Sequence, residues 1–437
     1  MKKVLIISYY WPPAGGIGVH RCLKFAKYLP LFGWEPVVYA PSNARYEYTD
    51  TTNFRHINAD LTVIKAPIVE PFGAFRFLSG RKKAETTNPV YVRDRKRSLV
   101  DKAGIWIRGN LFVPDARMLW IRPSVKRLKK YCRENQIDAL LTDGPPHTNT
   151  VIALRLSQTL GIPWLADFQD PWTQVDYYSM LYIGKCADRK YHRLEQESFA
   201  TAKKITIASP TWARELESIG AKQVDPIFWG YDDDDFPEAL PPYSEYFSIV
   251  HAGQLGYDRF PATFLKVLAD LCNENPQFRD KMRLELAGTV DYSIAQRIGE
   301  LGLNSNYKPL GKMSFPDAVK LTLSAHLLLL PLNIADNAKG RIPGKLFENI
   351  KARRPILCLG PSGSDSGNII AETLSGESFE YDNEEGIRNY IIRIFEKYQN
   401  NCNVLPPYDI TAYSVKNQVK RLATYLDQIS NSNITKP

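Results

Sequence analysis

Cysteine is sparse in this chain of 437 residues: the six cysteines are scattered, and no two of them form a C-x-x-C pair. Structural zinc sites and the disulfide frameworks of small secreted proteins both use closely spaced cysteines. The spacing therefore argues against both and favours a reducing compartment, which we expect to be the cytoplasm.

Long apolar runs are missing as well. The longest candidate, Leu327–Leu332, falls far below the ~20 residues that cross a bilayer. The run Val4–Ile7 follows two lysines, but it is shorter than the roughly 7–15 apolar residues of a signal-peptide core. It predicts a buried parallel strand instead. We expect a soluble protein, or one that binds peripherally to the inner face of the cell membrane.

Two ligand-binding motifs are incomplete. Gly16 and Gly18 fit the dinucleotide pattern G-x-G-x-x-G, but Arg21 stands at the third glycine, which argues against a nicotinamide cofactor. No convincing D-x-D motif lies at a predicted strand end, so we do not expect a metal ion to be required. No nucleic-acid-binding motif accompanies the excess of basic residues, and nucleic acid is not an expected partner.

The chain is long enough for two domains. Strand-like and helix-like segments alternate in both halves, which predicts two doubly wound α/β sheets. We expect an N-terminal domain over residues 1–230, a C-terminal domain over 244–410, and a final helix and tail at 411–437 that packs back on the N-terminal domain. The Asp-, Pro- and Gly-rich segment Trp229–Tyr243 is predicted to be a linker. Ligands are expected at the carboxyl ends of the strands, in a cleft between the domains.

Basic residues concentrate in a predicted insertion at about residues 70–120. Between Arg76 and Arg108, ten Lys and Arg stand against three Asp and Glu, a net charge of +7, with aromatic and aliphatic residues between them. Such a segment suits an anionic membrane surface. A solvated loop is the alternative, and the pattern does not separate the two.

Polar groups follow three predicted strands in the N-terminal half. Gly15 and Gly16 would let backbone amides approach a phosphate, although a tight turn alone also needs glycine. Asp143, His147 and Asp170 each lie at or just after a strand end, where we expect them to point into the cleft and not into the core. A purely structural role for His147 is the alternative.

The segment Arg341–Glu348 carries the strongest signal. Pro343 suits the first turn of a helix, and the unpaired amides of that turn, together with Gly344 and Lys345, would face an anion. Glu348, one turn further, could accept hydrogen bonds from ribose hydroxyls. A glutamate on a helix surface is the alternative.

Taken together, these residues resemble the retaining family 4 glycosyltransferases of the GT-B fold over nearly the whole chain. The segment Asp167–Trp172 is similar to the D-F-R-D-P-W segment of bacterial surface-polysaccharide members, with Gln169 in place of arginine, and Pro343–Glu348 is similar to the family's P-x-K-x-x-E helix start. The residues after the first strand carry the third similarity: Tyr10, Pro12, Pro13, Gly15, Gly16 and Arg21. The resemblance implies two Rossmann-like domains that face each other across a cleft.

The resemblance assigns the donor-binding residues unevenly. It implies that Glu348 binds the ribose, whereas the family's first glutamate falls on Gly340, which leaves the group that holds the sugar unassigned. Gln254 stands where the family has a diphosphate-binding arginine, and Arg259 has the spacing of its lysine. Arg341 or Lys339 could supply the missing cation. Gly16 resembles the glycine that approaches the diphosphate from the first domain.

The implied activity is transfer of a sugar, with retention, from a UDP- or GDP-sugar to a saccharide or lipid-linked acceptor in cell-surface polysaccharide biosynthesis. Arg259 and Lys345 would stabilise the leaving diphosphate in place of a metal, while Asp143, His147 and Asp170 would orient the acceptor or the sugar. Three alternatives remain: a non-catalytic nucleotide-sugar-binding protein of the same fold, a nucleotide-sugar epimerase and, least favoured, an NAD-dependent oxidoreductase.

Overall fold

The computed structural model describes residues 1–70, 99–402 and 408–431. The chain divides into two compact units: unit 1 comprises Met1–Phe228 and Gln418–Pro437, and unit 2 comprises Trp229–Asn417. Most of the predicted basic insertion, residues 71–98, lies outside the described residues. In the part that is described, no helix combines the length and the apolar character that crossing a bilayer requires.

Unit 1 is built on a seven-stranded parallel sheet with the strand order β3-β2-β1-β4-β5-β6-β7. Strand β1 lies inside the sheet, and its apolar residues Val4–Ile7 are completely buried, because helices cover both faces of a doubly wound parallel sheet. The strands are β1 (Lys2–Ile7), β2 (Trp34–Pro41), β3 (Thr62–Ala66), β4 (Ala139–Gly144), β5 (Trp164–Phe168), β6 (Lys204–Ile207) and β7 (Val224–Pro226).

The helices of unit 1 pack on this sheet or on one another. They are α1 (Ile17–Tyr28), α2 (Leu99–Leu111), α3 (Ile121–Asn135), α4 (Thr148–Leu160), α5 (Lys185–Thr201) and α6 (Pro210–Ser218). The last helix of the chain, α14 (Val415–Asn431), joins this unit from Gln418 onward. The Lys2 ammonium, at the start of β1, donates to the Asp427 carboxylate at 3.1 Å and to the Ser430 hydroxyl at 2.9 Å.

Unit 2 repeats the architecture with six parallel strands in the order β10-β9-β8-β11-β12-β13. The strands are β8 (Phe247–Ala252), β9 (Met282–Ala287), β10 (Tyr307–Gly311), β11 (Leu327–Pro331), β12 (Ile356–Leu359) and β13 (Gly376–Phe379). The helices are α7 (Ala262–Glu274), α8 (Pro276–Lys281), α9 (Tyr292–Glu300), α10 (Phe315–Ser324), α11 (Lys345–Ala352), α12 (Asp365–Glu372) and α13 (Glu384–Gln399).

The predicted linker Trp229–Tyr243 differs from the expectation, because it begins unit 2 and forms hydrogen bonds within it. The Tyr231 amide donates to the Tyr413 carbonyl at 3.1 Å, and the Val415 amide donates to the Tyr231 carbonyl at 2.8 Å. Gly230 has φ of +70° and lies so close to this segment that a Cβ would meet the backbone. The composition indicated a turn here but could not show that the turn pairs with residues about 180 positions later.

Candidate functional site

In each unit the strand order reverses beside the first strand of the sheet, and loops at such a switch point diverge to leave a crevice where ligands bind. In unit 2 the reversal lies between β8 and β11. The loop after β8 begins at Gly253, and the loop after β11 leads into α11, whose first residue is Lys345. The strongest predicted segment therefore lies at the position where a doubly wound sheet binds ligands.

The Lys345 side chain crosses this switch point and lies against Gly253. Its ammonium occupies the space that a Cβ on residue 253 would fill, and Gly253 has φ of +139°. Burial, together with the charge of Arg259 and against the opposing effect of the Glu348 carboxylate, lowers the pKa of Lys345 to about 8. The structure thus brings Lys345, Glu348 and Arg259 into one electrostatic cluster.

Pro343 does not belong to the helix that carries Lys345, contrary to the expectation. Gly344 is its N-cap residue, so Pro343 precedes the cap and is not in the first helical turn. The Leu346 amide donates to the Pro343 carbonyl at 2.9 Å, which closes a turn one step before the helix proper. Among the described residues, the backbone amides of Gly344 and Lys345 have no acceptor, and they add positive potential at this end of α11.

The other predicted cations and their neighbours lie on the loops around this cluster. Arg259 ends a short turn, Tyr257–Arg259. Its guanidinium donates to Asp258 at 3.3 Å, while its Nε is buried and has no partner among the described residues. Gln254 follows Gly253 and is exposed. The carbonyl of Arg341 accepts a bond from Ser366 at 2.8 Å.

His251 belongs to the site but was not predicted. It is fully enclosed near the end of β8, and its Nδ1 lies 2.9 Å from the Leu329 carbonyl. Burial, with a smaller contribution from the charges of Lys345 and Arg259, lowers the pKa of His251 to about 3, so the imidazole is neutral at pH 7. Its place two residues before Gly253 is the signal that sequence reasoning could have used.

In unit 1, Asp143 lies at the end of β4, as predicted, but its side chain does not point away from the core. It is completely buried, and it accepts hydrogen bonds from the Gln169 amide and, at 3.3 Å, from the Ser8 hydroxyl. Burial, reinforced by the charge of Asp167, raises the pKa of Asp143 to about 7. These polar partners, which directly follow β1 and β5, explain why a carboxyl group is tolerated there.

His147 is the residue before α4, and it stacks on Trp172 with ring centroids 4.2 Å apart and planes 5° from parallel. Burial lowers the pKa of His147 to about 3. Its Nδ1 is buried and has no partner among the described residues. Asp170 is partly exposed in the loop after β5. The two strand-end segments therefore meet through His147 and Trp172.

Asp115 is a further residue of this site that sequence reasoning missed. Its carboxylate accepts from the backbone amide and the hydroxyl of Thr148, each at 2.8 Å, and thereby caps the start of α4 beside His147. It lies far from Thr148 in the sequence, so only the tertiary structure identifies it as a cap.

The two glycines in the loop before α1, Gly15 and Gly16, have different surroundings. A side chain on Gly15 would collide with the ring of Tyr48, whereas a Cβ on Gly16 would enter open space, although φ at Gly16 is +80°. Packing against Tyr48 is therefore sufficient to explain the glycine at position 15. Gly16 is exposed and caps α1, which leaves it accessible to a ligand.

Arg21 and Asp167 are structural partners. The Arg21 Nε donates to Asp167 Oδ2 at 2.5 Å and its NH2 group donates to Asp167 Oδ1 at 2.7 Å, with both side chains enclosed. The same guanidinium reaches the Ile227 carbonyl at 2.8 Å, and Thr206 donates to Asp167 at 2.6 Å. This pair joins α1 to the middle of the sheet and holds the segment that carries Gln169 and Asp170.

Comparisons with known proteins give matches among solved structures. No family profile matches the chain, and no curated protein matches by sequence. HepE of Anabaena, solved in complex with UDP-glucose, is 13% identical, with 100% of each chain covered and a TM-score of 0.56. WaaG, a glycosyltransferase involved in lipopolysaccharide biosynthesis, is 14% identical, with 98% of each chain covered and a TM-score of 0.52.

A putative UDP-N-acetylglucosamine 2-epimerase from Listeria monocytogenes also matches, at 9% identity and a TM-score of 0.55, covering 100% of this chain and 98% of its own. The predicted fold class is confirmed: the protein has the GT-B fold, with two parallel-sheet α/β domains. Similarity at this level of identity establishes the fold, and the function has to be argued from the site.

Proposed function

We propose that the protein is a retaining glycosyltransferase that uses a nucleotide-sugar donor. The observation that carries the proposal is the Lys345 ammonium, held against Gly253 at the switch point of unit 2 with Arg259 and Glu348 in its electrostatic cluster. The charge of Arg259 disfavours the charged form of the buried Lys345, and an anion bound beside both cations would offset this repulsion. The diphosphate of a nucleotide-sugar has that charge.

The same cations would act in the chemical step. As the bond between the sugar and the diphosphate breaks, negative charge grows on the leaving oxygen, and Lys345, Arg259 and the amides of Gly344 and Lys345 would stabilise it. Preorganised donors of this kind act without reorganisation during the reaction. We therefore propose that these side chains supply the stabilisation and that no metal ion is required. Glu348 would accept hydrogen bonds from the ribose, and Gln254 and Arg341 would border the donor.

Unit 1 would supply the side chains that bind the acceptor substrate. His147 is neutral at pH 7, because its pKa lies near 3, so it can serve as a hydrogen-bond partner and not as a charge. Asp143 is enclosed, and we assign it a positioning role through Gln169 and the loop that carries Asp170. Asp170 is partly exposed and is the carboxylate that could contact an acceptor hydroxyl. Gly16 would let the backbone approach the donor.

A negatively charged membrane surface is the proposed location of the acceptor. Helix α3 offers a described basic surface that the sequence prediction did not single out. A groove of about 770 Å³ is lined by Arg122, Lys126, Lys129, Lys130 and Arg133, with Arg155 of α4 beside them. Each cation near an anionic bilayer contributes about 1 kcal/mol to binding. A lipid-linked acceptor for cell-surface polysaccharide would lie at such a surface, on the cytoplasmic side.

Thermal unfolding in the presence of nucleotide-sugars tests the donor assignment. Binding to the folded state raises the unfolding midpoint, so one of UDP-glucose, UDP-N-acetylglucosamine and GDP-mannose should raise it, together with its free nucleoside diphosphate. Lys345→Ala should remove most of that shift. Lys351→Ala on the same helix is the matched control, because its ammonium pairs with Asp233. No shift with any nucleotide would contradict the proposal.

Product analysis then separates the activities. A transferase releases the nucleoside diphosphate only when an acceptor is present, apart from slow hydrolysis. An epimerase converts the donor sugar without any acceptor. A non-catalytic protein binds the donor and does neither. Retention is checked by the anomeric configuration of the glycosidic product.

A further inference from the structure

Asn337 has an unusual environment in the loop between β11 and α11. It precedes the short turn Ala338–Gly340. Both polar atoms of its side chain, Oδ1 and Nδ2, are buried and lack a hydrogen-bond partner among the described residues. Buried amide groups are nearly always bonded, and an exception requires an explanation.

The loop that carries Asn337 is anchored beside the proposed diphosphate-binding residues. The Asn333 amide donates to the Asp258 carboxylate, and the Ile334 backbone amide donates to the Asp258 carbonyl at 2.7 Å. The Tyr381 hydroxyl donates to the Asn333 carbonyl at 2.8 Å. Asp258 precedes Arg259 directly, so these bonds hold the start of the loop against the turn that carries Arg259.

The far end of the loop is fixed as well. Ser366 of α12 donates to the Arg341 carbonyl at 2.8 Å, and α11 with Lys345 follows four residues later. Gly340 is buried and has no side chain, while Asp336 and Lys339 are exposed. Asn337 is therefore the one polar side chain between Asp336 and Gly340 whose functional atoms are enclosed.

The chemistry of the amide limits what it can bind. It offers one accepting oxygen and one donating nitrogen, which matches a hydroxyl group, since a hydroxyl both donates and accepts. A phosphate only accepts and is already served by Lys345 and Arg259. A ligand rich in uncharged hydroxyls, next to a diphosphate, is the sugar of a nucleotide-sugar.

We propose that Asn337 is a specificity-determining residue that binds a hydroxyl group of the transferred sugar. The proposal rests on the proposed function, because it presumes a nucleotide-sugar at Lys345 and Arg259. It adds the identity of a residue that contacts the sugar of the donor and not its nucleotide. A buried polar group left without its partner penalises any donor that lacks the matching hydroxyl.

The test compares donors with and without the sugar. Calorimetry measures the affinity of the wild type and of Asn337→Ala for UDP-glucose against UDP, and for GDP-mannose against GDP. We expect Asn337→Ala to weaken the bound nucleotide-sugar about tenfold and to change the affinity for the matching free diphosphate less than twofold. Equal losses for both ligands, or no loss for either, would overturn the proposal.

Unfolding of the unliganded protein gives a second readout. Asn337→Ala removes no hydrogen bond of the unliganded protein, so its unfolding midpoint should stay unchanged or rise. Asn333→Ala in the same loop is the matched control: it removes the bond to Asp258 and should lower the midpoint. A drop for Asn337→Ala as large as that for Asn333→Ala would show a structural role and overturn the proposal. A wild type that binds none of the four nucleotides would refute the proposed function first, and with it this assignment.

Discussion

The ammonium of Lys345 fills the space beside the Cα of Gly253 that any larger residue would need for its Cβ. Residue 253 therefore has to be glycine for the Lys345 ammonium to lie at the switch point of unit 2. Sequence alone does not connect the two, because they are 92 positions apart and belong to different loops.

Gly253→Ala should displace the Lys345 ammonium and lower donor turnover at least about tenfold, as expected when an electrostatic donor leaves its place. Steady-state kinetics with the donor identified by thermal shift measure the effect. Gly302→Ala is the control for backbone strain, because Gly302 also has a positive φ, +71°, but a Cβ there meets no atom within 4 Å. Equal activity in the two variants would contradict the contact with Lys345.

The donor affinity should depend on pH through Lys345. Its pKa in the unliganded protein is about 8, so the ammonium loses its proton as the pH rises through 8, and the affinity for a diphosphate should fall between pH 7.5 and 9.5. Titration calorimetry across that range measures the fall. Lys345→Arg should flatten it, because a guanidinium stays charged; a profile in the variant as steep as in the wild type would place the titration elsewhere.

The stability of the folded protein should depend on the titration of Lys345 in the opposite direction from the donor affinity. A lysine whose pKa is depressed by folding binds its proton more weakly in the folded state than in the unfolded one. Between about pH 8 and the ordinary lysine pKa the unfolded chain holds more protons, so the free energy of unfolding should rise with pH in that window. Lys345→Met should remove this part of the pH dependence in denaturant titrations.

The pair Arg21 and Asp167 should dominate the stability of unit 1. Removing one partner leaves the other charge buried and unpaired, so Asp167→Asn or Arg21→Met should lower the free energy of unfolding by about 3–5 kcal/mol. Urea denaturation measures it. The double variant Arg21→Met/Asp167→Leu leaves no buried charge and should recover part of the loss. A loss in the double variant equal to the sum of the single losses would contradict the pairing.

Asp143 should make the protein less stable as the pH rises from about 4 to 7. Its pKa is raised to about 7 by burial and by Asp167, so the folded state holds a proton that the unfolded state has already released. The resulting stabilisation is present at low pH and is lost as the pH passes 7. Asp143→Asn should flatten this dependence without loss of stability at pH 5, because an amide, like the protonated carboxyl group, can accept from Gln169 and donate to Ser8. A marked loss at pH 5 would contradict a protonated carboxyl group.

Much of the fold was predictable because helices and strands depend on local patterns. The apolar run Val4–Ile7 was correctly assigned to a strand. Apolar residues at helical spacing predict helices at Phe315–Ser324 and Lys345–Ala352, and the structure has both helices with these bounds. Strand β7 was missed, because three residues ending in Asp-Pro carry no period-2 pattern. Strand β13 and helices α2, α6, α8, α12 and α13 were left unassigned as well.

The candidate site was predictable where a motif places a residue at a strand end or a helix start. Lys345, Glu348, Arg259 and His147 were identified in this way. His251, Asp115 and Asn337 were not, because their significance lies in partners or in enclosed polar atoms that no local pattern reveals.

The sequence by itself determined the two parallel sheets and the positions of the polar residues at their carboxyl ends, because periodicity and turn chemistry act over a few neighbouring residues. Only the tertiary structure decided which of those residues are enclosed and what they contact. Asp143 is buried and Lys345 lies against Gly253, because the order of the strands in the sheet, and not the distance along the sequence, determines which loops are neighbours. Burial then set their pKa values, since the cost of a charge depends on every atom that replaces water around it.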